Sequence, residues 1–585
     1  MRDRVRSAFV CAVSSAIAAA LLQVVIASTR RFALQEFIWV SRDFVWMVPV
    51  GYLTVFVGLA LPLILITLVL PNQIADRTPV FCFGTLATLG VVLMFPGVHP
   101  LASLIISVGA GVRLAMSASP AAIGRRWRWW TGAAASLALV AGWREMTYRR
   151  TEARATSSLA AAPQHSPNVL LIILDTVRAA SMSFMGYGRP TTPELAKLAA
   201  GGTVFDEAYS VAPWTLPSHA GIFTARYPSS LSVDWRVPLD ARPATMAEAF
   251  NQRGFATAGF AANHFYTSWE SGLTRGFAHY EDYRRTWKQA LLSISLLQTN
   301  LFWTVVHDLR PGNLVRQLLR MDLRTQLMWT SDRKLAGEAT AEFLAWERTR
   351  GERPFFAFIN LYDAHLPYDP PAPWGRAFAQ SPEPLDRYDG SIAYMDHELG
   401  RMFDELQRRG VLDQTIVVVT SDHGEGFGEH GLHGHGNSLY RPELHVPLIL
   451  RYPGRVPAGQ RVQAAVSLRD LGATMFDLAG LPPWSGGGSL ATTWAAADSS
   501  SQRSPVLSEV SVGINTDPSF PVSRGAMRSL IDSTSHYIRN GDGLEELYDY
   551  RGDPAENRDL ARSDSTRVGA LRAASIRAAN LTRLR

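Results

Sequence analysis

Apolar residues are spread unevenly along the chain, and their pattern divides it in two. Between Phe9 and Trp143 they form long, nearly unbroken stretches at 9–27, 44–70, 79–95, 101–116 and 129–143. A bilayer core needs about 20 apolar residues per helix, so the first two read as full spans, the next two as good ones and the last as marginal. Beyond Pro167 the apolar runs are short. Val169 to Leu174 is continuous and partly β-branched, bounded by Pro167 and Asp175, the pattern of a strand buried on both faces. Strand-like runs ("FATAGFAAN", "PFFAFINLYDAH", "TIVVVTSDHGE", "VPLILRYPG") then alternate with helix-like ones at 193–200, 244–253, 335–348, 392–409 and 468–479. That alternation predicts helices packed on a mostly parallel sheet.

Charge orients the first half. Arg2, Arg4 and Arg6 at the start, and Arg113, Arg125, Arg126 and Arg128 around the fourth and fifth stretches, place those regions in the cytoplasm. An odd number of spans then puts everything after Trp143 outside, giving a multi-pass inner-membrane protein with an extracytoplasmic catalytic domain. Arg30, Arg31 and Arg42 run against this bias without reversing it. The first stretch lacks a small-residue cleavage site leading into a soluble domain, as a signal peptide would have. The expected organisation is an anchor at 1–143, a linker at 144–167, a catalytic domain at 168–504 and a C-terminal subdomain and tail at 505–585.

Sites in open α/β sheets form at the carboxyl ends of strands, so polar residues there should converge. Asp175 follows the first strand, "YDAH" (362–365) a second, and "SDHGEGFGEHGLHGHGN" (421–437) a third. A lone Asp after a strand is commonly a helix cap. Four imidazoles in one Gly-rich loop, His423, His430, His433 and His435, have no such structural excuse. Two carboxylates and a histidine with a nearby hydroxyl make an oxygen-rich divalent-metal site. The hydroxyl is Thr215 in "APWTLPSHAGIFTARYP", which reads either as a capping residue or as a nucleophile.

Composition changes the picture little. The net charge of +6 over 585 residues is explained largely by the cytoplasmic loops, and no nucleic-acid footprint is visible. Both cysteines, Cys11 and Cys82, lie in expected spans, so the exported part has neither disulfide nor catalytic thiol. The insertion 287–329, with "LLSISLLQTNLFWTVV", reads as a helix lying on the membrane and guiding a lipid substrate or as a core helix packing on the sheet. Asn263 and His264 read as pocket lining or as satisfied loop residues, and 483–504 as a flexible surface loop.

From about Pro167 to Leu560 the chain resembles the sulfatase family of the alkaline phosphatase superfamily. The resemblance rests on "NVLLIILDTVRA", "TTPELAKLAAGGTVFDEAY", "TLPSHAGIFTARYP", "PFFAFINLYDAHLPY", "SDHGEGFGEHG", "HVPLIL", "LRDLGATMFDLAGL" and "ELYDYRGDPAENRDL", in the family's order. It implies an α/β/α sandwich of alkaline phosphatase type with a small C-terminal subdomain. It further implies that Asp175, Asp422 and His423 bind a divalent metal together with Thr215, which stands at the nucleophile position. His365 and His435 match positions that contact the anionic group or protonate the leaving oxygen, and His219 and His433 fall among the substrate-binding positions.

Three departures shift the expected chemistry. Sulfatases oxidise a Cys or Ser to formylglycine, followed by Pro and Arg at two-residue steps; here Thr215, Pro217 and His219 fill those places. The β-methyl of threonine bars that aldehyde. Thr176 replaces a second acidic residue, which mildly favours Mn or Zn over Ca or Mg. A threonine nucleophile resembles that of lipoteichoic acid synthases and phosphoethanolamine transferases, which also carry five helices before the catalytic domain. The expected function is therefore metal-dependent cleavage or transfer of a phospho- or sulfo-ester on a lipid-linked or glycan substrate at the membrane, phosphoryl-type transfer favoured. The alternatives are a sulfuric ester hydrolase and a non-catalytic ligand-binding sensor.

Overall fold

The computed structural model describes residues 2–95, 97–118, 122–123, 127–298, 333–484, 486–495, 505–513 and 517–583. It falls into two compact units, one of Met1–Thr151 with Tyr283–Asp332 and one of Glu152–Asp282 with Arg333–Arg585.

The first unit is helical. Helices α1 (Arg2–Ser28), α2 (Phe44–Val69), α3 (Thr78–Val92), α4 (Pro100–Ser117) and α5 (Trp127–Ser157) fall on the five apolar stretches. Among the described residues, two segments, Arg2–Ala33 and Phe44–Val69, are long and apolar enough to cross a membrane; α3 and α4 are shorter. Helix α5 runs through the first half of the expected linker and ends at Ser157. Small residues on one side of α1, Ala12, Ala16 and Ala20, let it pack closely with Tyr52 and Phe56 of α2 and Phe83 of α3. The start of the insertion belongs to this unit: a short helix, Trp287–Leu292, leads to Ile294, Leu296 and Leu297, buried in the same core. Gln23 donates to the Ser293 carbonyl at 2.8 Å, and the Tyr52 and Ser295 hydroxyls are 3.0 Å apart. The described part of the insertion packs into this unit, with Trp287 71% exposed and Ile294, Leu296 and Leu297 buried, so it is not a core helix of the sheet, and 299–329 lies outside the described residues, as does 496–504 of the expected flexible loop.

The second unit is an α/β/α sandwich, as expected. Its main sheet contains β1 (Asn168–Leu174), β2 (Thr203–Phe205), β3 (Ala256–Ala261), β4 (His279–Glu281), β5 (Phe355–Leu361), β6 (Thr415–Thr420), β7 (Leu448–Arg451) and β8 (Gln460–Val462), in the order β8-β2-β7-β6-β1-β5-β3-β4. β7 is antiparallel to both its neighbours, and the other pairings are parallel. Ile172 at the centre pairs with Ile359 and Val419. Helices α6 (Pro193–Ala200), α7 (Thr215–Thr224), α8 (Met246–Gln252), α9 (Ala336–Thr349), α10 (Pro384–Arg408) and α11 (Leu471–Leu478) cover the faces. Alternate residues of β5 point opposite ways. Phe355, Ala357 and Ile359 share a core with Leu195, Phe343 and Leu399, while Phe356 stacks on Phe250 at 4.7 Å and Phe358 meets Phe223 edge-on at 5.0 Å. An antiparallel sheet of β9 (Val506–Val510), β10 (Met527–Ile531), β11 (His536–Arg539) and β12 (Glu545–Tyr548) follows, covered by α12 (Ser565–Arg583) through Val568 and Leu571.

His279 on β4 lies between two carboxylates, Nδ1 2.6 Å from Glu152 and Nε2 3.0 Å from Glu281. Burial opposes its charge, but the two carboxylates outweigh burial and hold its pKa up at about 9. Raised above an unfolded value of about 6.5, it contributes stability that is complete below about pH 6.5 and lost as pH rises through about 9. Between about pH 7 and 10 the melting temperature should fall more steeply for the wild type than for His279→Gln. Parallel melting curves would remove this pair from the stability of the unit.

Candidate metal and nucleophile site

The carboxyl ends of β1, β5 and β6 open toward one another because the three strands are adjacent and parallel. Asp175 leaves β1 and is fully buried. Its Oδ2 accepts from Asn263 Nδ2 at 2.8 Å and Asn360 Nδ2 at 3.1 Å, while Oδ1 is buried without a protein partner. Asp422 follows β6; its Oδ1 accepts from the amides of Thr176 (3.1 Å) and His423 (2.9 Å), and Oδ2 is likewise unpartnered. The His423 ring donates from Nδ1 to the Gly424 carbonyl at 3.0 Å, so Nε2 carries the lone pair. One donor atom from each of Asp175, Asp422 and His423 lies within 4.8 Å of the others.

Electrostatics mark the cluster as built for a cation. Burial, reinforced by Asp422, pushes the Asp175 carboxyl up to about 8, and burial raises Asp422 to about 7. Burial lowers His423 to about 4, which keeps its imidazole neutral. Two buried carboxylates, each with an unsatisfied oxygen beside a neutral imidazole nitrogen, are unfavourable by themselves and suit a divalent metal. The donor set of two oxygens and one nitrogen fits such an ion.

Thr215 opens α7, with Trp214 as its N-cap. Its hydroxyl is not spent on a helix cap: Oγ1 lies 3.2 Å from His423 Nε2. His219, one turn later, donates from Nδ1 to the Thr215 carbonyl at 2.9 Å and sits 3.5 Å from Asp422 Oδ2. Burial lowers it to about 3, so it meets the cluster as a neutral group. Thr176 is left-handed (φ 62), an uncommon conformation for a side chain with a Cβ. Its amide serves Asp422 and its hydroxyl turns back to the Asp175 carbonyl at 2.6 Å. The Tyr388 hydroxyl pins this turn, donating to the Thr176 carbonyl (2.8 Å) and accepting from the Arg178 amide (3.0 Å).

The histidines of the Gly-rich loop separate. The His435 ring centre is 4.5 Å from that of His423, 5.0 Å from His365 and 5.2 Å from Trp214, and its Nδ1 is 3.0 Å from Glu425 Oε1. His365 hydrogen-bonds through Nδ1 to the Leu366 carbonyl at 3.0 Å. Burial lowers His435 to about 3 and takes His365 well below its usual range. His433 is exposed on a two-stranded ribbon, and His430 is exposed and stacked on Tyr440 at 3.8 Å; neither ring packs on the cluster. Gly436 holds the loop against Trp214 and Trp235: it is left-handed (φ 71), and a Cβ would come within 2.7 Å of both rings. Nothing in the sequence alone singles out Trp214, Asn360 and Glu425, and Asn263 reads either as pocket lining or as a loop residue. The only available signals are a lone polar Asn inside the apolar strand "FFAFINL" and an acid within "DHGEG".

Comparison with known proteins fixes the family. The sequence profile of the Sulfatase family matches residues 167–481, more than half of the chain. The chain belongs to the sulfatase family. Among its relatives are a protein named Sulfatase from Formosa agariphila, 23% identical in an alignment of 438 positions that covers 67% of this chain and 82% of that one, and an ulvan-active sulfatase from the same organism, 23% identical in an alignment of 416 positions that covers 67% and 77% of the two chains. In fold the chain is similar to the phosphonate monoester hydrolase of Agrobacterium radiobacter, with a TM-score of 0.55, 21% identity and coverage of 71% of this chain and 96% of that one. Members of the sulfatase family are metal-dependent, and Asp175, Asp422 and His423 are a group that could hold a metal ion in this chain.

Proposed function

We propose that this sulfatase-family enzyme is membrane-anchored by several N-terminal helices and cleaves or transfers an anionic ester outside the cytoplasm, with Thr215 as nucleophile and phosphoryl-type transfer preferred. The observation that carries the reading is the Thr215 hydroxyl, 3.2 Å from His423 Nε2 at the edge of the Asp175, Asp422 and His423 cluster. A divalent metal held by those three residues would supply charge stabilisation at the reacting oxygens. Thr215 Oγ attacks the phosphorus or sulfur, its proton passing to a carboxylate oxygen of Asp422, and the bond to the leaving oxygen breaks. His423 and His365 each donate through Nδ1 to a carbonyl, so their Nε2 atoms are acceptors while the rings are neutral. His435 faces Glu425 instead, whose carboxyl burial pushes up to about 8; protonated, Glu425 donates to His435 Nδ1, so the ring holds its proton on Nε2 and can pass it to the leaving oxygen as the Glu425 proton moves to Nδ1. Water or an acceptor hydroxyl then releases the group from Thr215.

The second reading, sulfuric ester hydrolysis, is favoured by the family itself and by the ulvan-active relative. Turnover of an aryl sulfate, an aryl phosphonate monoester, an aryl phosphodiester and an aryl phosphate monoester by the full chain loaded with Mn or Zn separates the two. The phosphodiester and phosphonate should be turned over at least about tenfold faster than the sulfate, a difference of about 1.4 kcal/mol in transition-state binding. A faster sulfate assigns the enzyme to the second reading, and no turnover by metal-loaded protein would mean a binding or sensing member.

A further inference from the structure

Arg30, Arg31 and Arg42 oppose the charge bias that orients the helices, and ester chemistry at Thr215 gives them no task. One end of the helical unit draws several arginines together. Arg30 donates to the Met94 carbonyl at 2.8 Å and pairs with Glu36 at 2.6 Å. Arg285 holds Asp43 at 2.8 Å and Glu145 at 3.2 Å. Arg42 lies over the Tyr148 ring at 5.2 Å. Arg144 faces the rings of Phe44 at 5.4 Å and Phe32 at 5.9 Å.

Arg144 differs from the others. Among the described residues its guanidinium has no hydrogen bond or ion pair to the protein. Asp43, the carboxylate that attracts it, is already held by Arg285, and Arg42 repels it. A half-buried guanidinium packed against two aromatic rings beside a second guanidinium leaves planar donors that call for an oxyanion. The surroundings say which kind: Phe32, Leu34 and Trp143 are 50%, 62% and 66% exposed, an apolar collar of the sort that meets acyl chains. An anion bound here would sit where charge and hydrocarbon meet.

We propose that Arg144 and Arg42, braced by Arg285, form a headgroup site for the phosphate of an anionic membrane phospholipid. The proposal rests on the reading of the helical unit as membrane-embedded. Arginine suits the role because its planar fork takes two phosphate oxygens at once. The site draws anionic lipid to the helical unit and gives Arg42, one of the counter-bias arginines, a function.

The test uses the full chain in detergent, with phosphatidylglycerol, phosphatidylcholine or inorganic phosphate added, and native mass spectrometry to count bound lipid. Wild type should retain phosphatidylglycerol in preference to phosphatidylcholine, and Arg42→Gln with Arg144→Gln should bind phosphatidylglycerol about tenfold more weakly while turning over a soluble aryl ester at the wild-type rate. Equal lipid retention by wild type and double variant overturns the proposal. So does inorganic phosphate displacing the lipid at comparable concentration, which would make this a free-anion site. Extraction of the chain from washed membranes by alkaline carbonate without detergent contradicts the membrane reading itself, separately from the lipid count.

Discussion

Thr215→Ala is expected to lower turnover of every ester substrate by about 10⁴-fold or more, since the residue that forms the covalent bond is removed while binding and charge stabilisation stay in place. The fold should tolerate the change. Thr215 is buried at the start of α7 and its hydroxyl bonds His423 and interacts with the Asp422 carboxyl, so the loss of stability should be about 1–2 kcal/mol. Metal content should be nearly unchanged, because Asp175, Asp422 and His423 remain. Thr215→Ser keeps the oxygen and should retain measurable turnover. Near-wild-type rates in Thr215→Ala, with metal bound, would remove Thr215 from the chemistry.

Asp422→Asn should cost the metal first and activity as a consequence. The Asn carbonyl can still accept from the amides of Thr176 and His423, so the loop geometry survives. What disappears is the charge on the carboxyl whose second oxygen has no protein partner. Changing residues that merely support a ligand typically weakens metal binding 10–100-fold, so loss of a ligand itself should exceed about 100-fold. Elemental analysis after dialysis against dilute chelator reads this directly. Metal-free Asp422→Asn should be no less stable than the metal-free wild type, because a buried, uncompensated charge has gone. Full metal content in the variant would exclude Asp422 as a ligand.

Much of this was legible in the sequence because the chemistry sits where strand periodicity breaks. The apolar runs of β1 and β6 end abruptly at Asp175 and at Ser421–His423, and the parallel order of β6, β1 and β5 brings those ends together. Thr215 was identifiable by its place in "TLPSHAG", but its hydroxyl could be freed from a capping role only by seeing Trp214 take the cap position and His423 approach. His433 and His435 look equivalent in "GLHGHG", two residues apart on a short ribbon, yet one is exposed and the other packs on His423. Asn360 hid inside a strand that reads as core. The insertion hid differently: "SISLL" is as apolar as a surface-lying helix would be, and only the hydrogen bonds of Gln23 and Tyr52 to Ser293 and Ser295 show its start packed among the helices. Helix boundaries were the least legible, since the apolar stretch of α5 ends near Trp143 while the helix continues on polar residues to Ser157.

The central claim is that Thr215 becomes covalently modified during turnover. Intact-mass and peptide analysis of the full chain, loaded with Mn or Zn and quenched shortly after mixing with an aryl phosphodiester, tests it most directly. The account predicts a phosphoryl-ester adduct on the Thr215 peptide that disappears as substrate is exhausted and never forms in Thr215→Ala. Steady turnover of the diester with Thr215 unmodified at every quench time, or an adduct on a different residue, would contradict it.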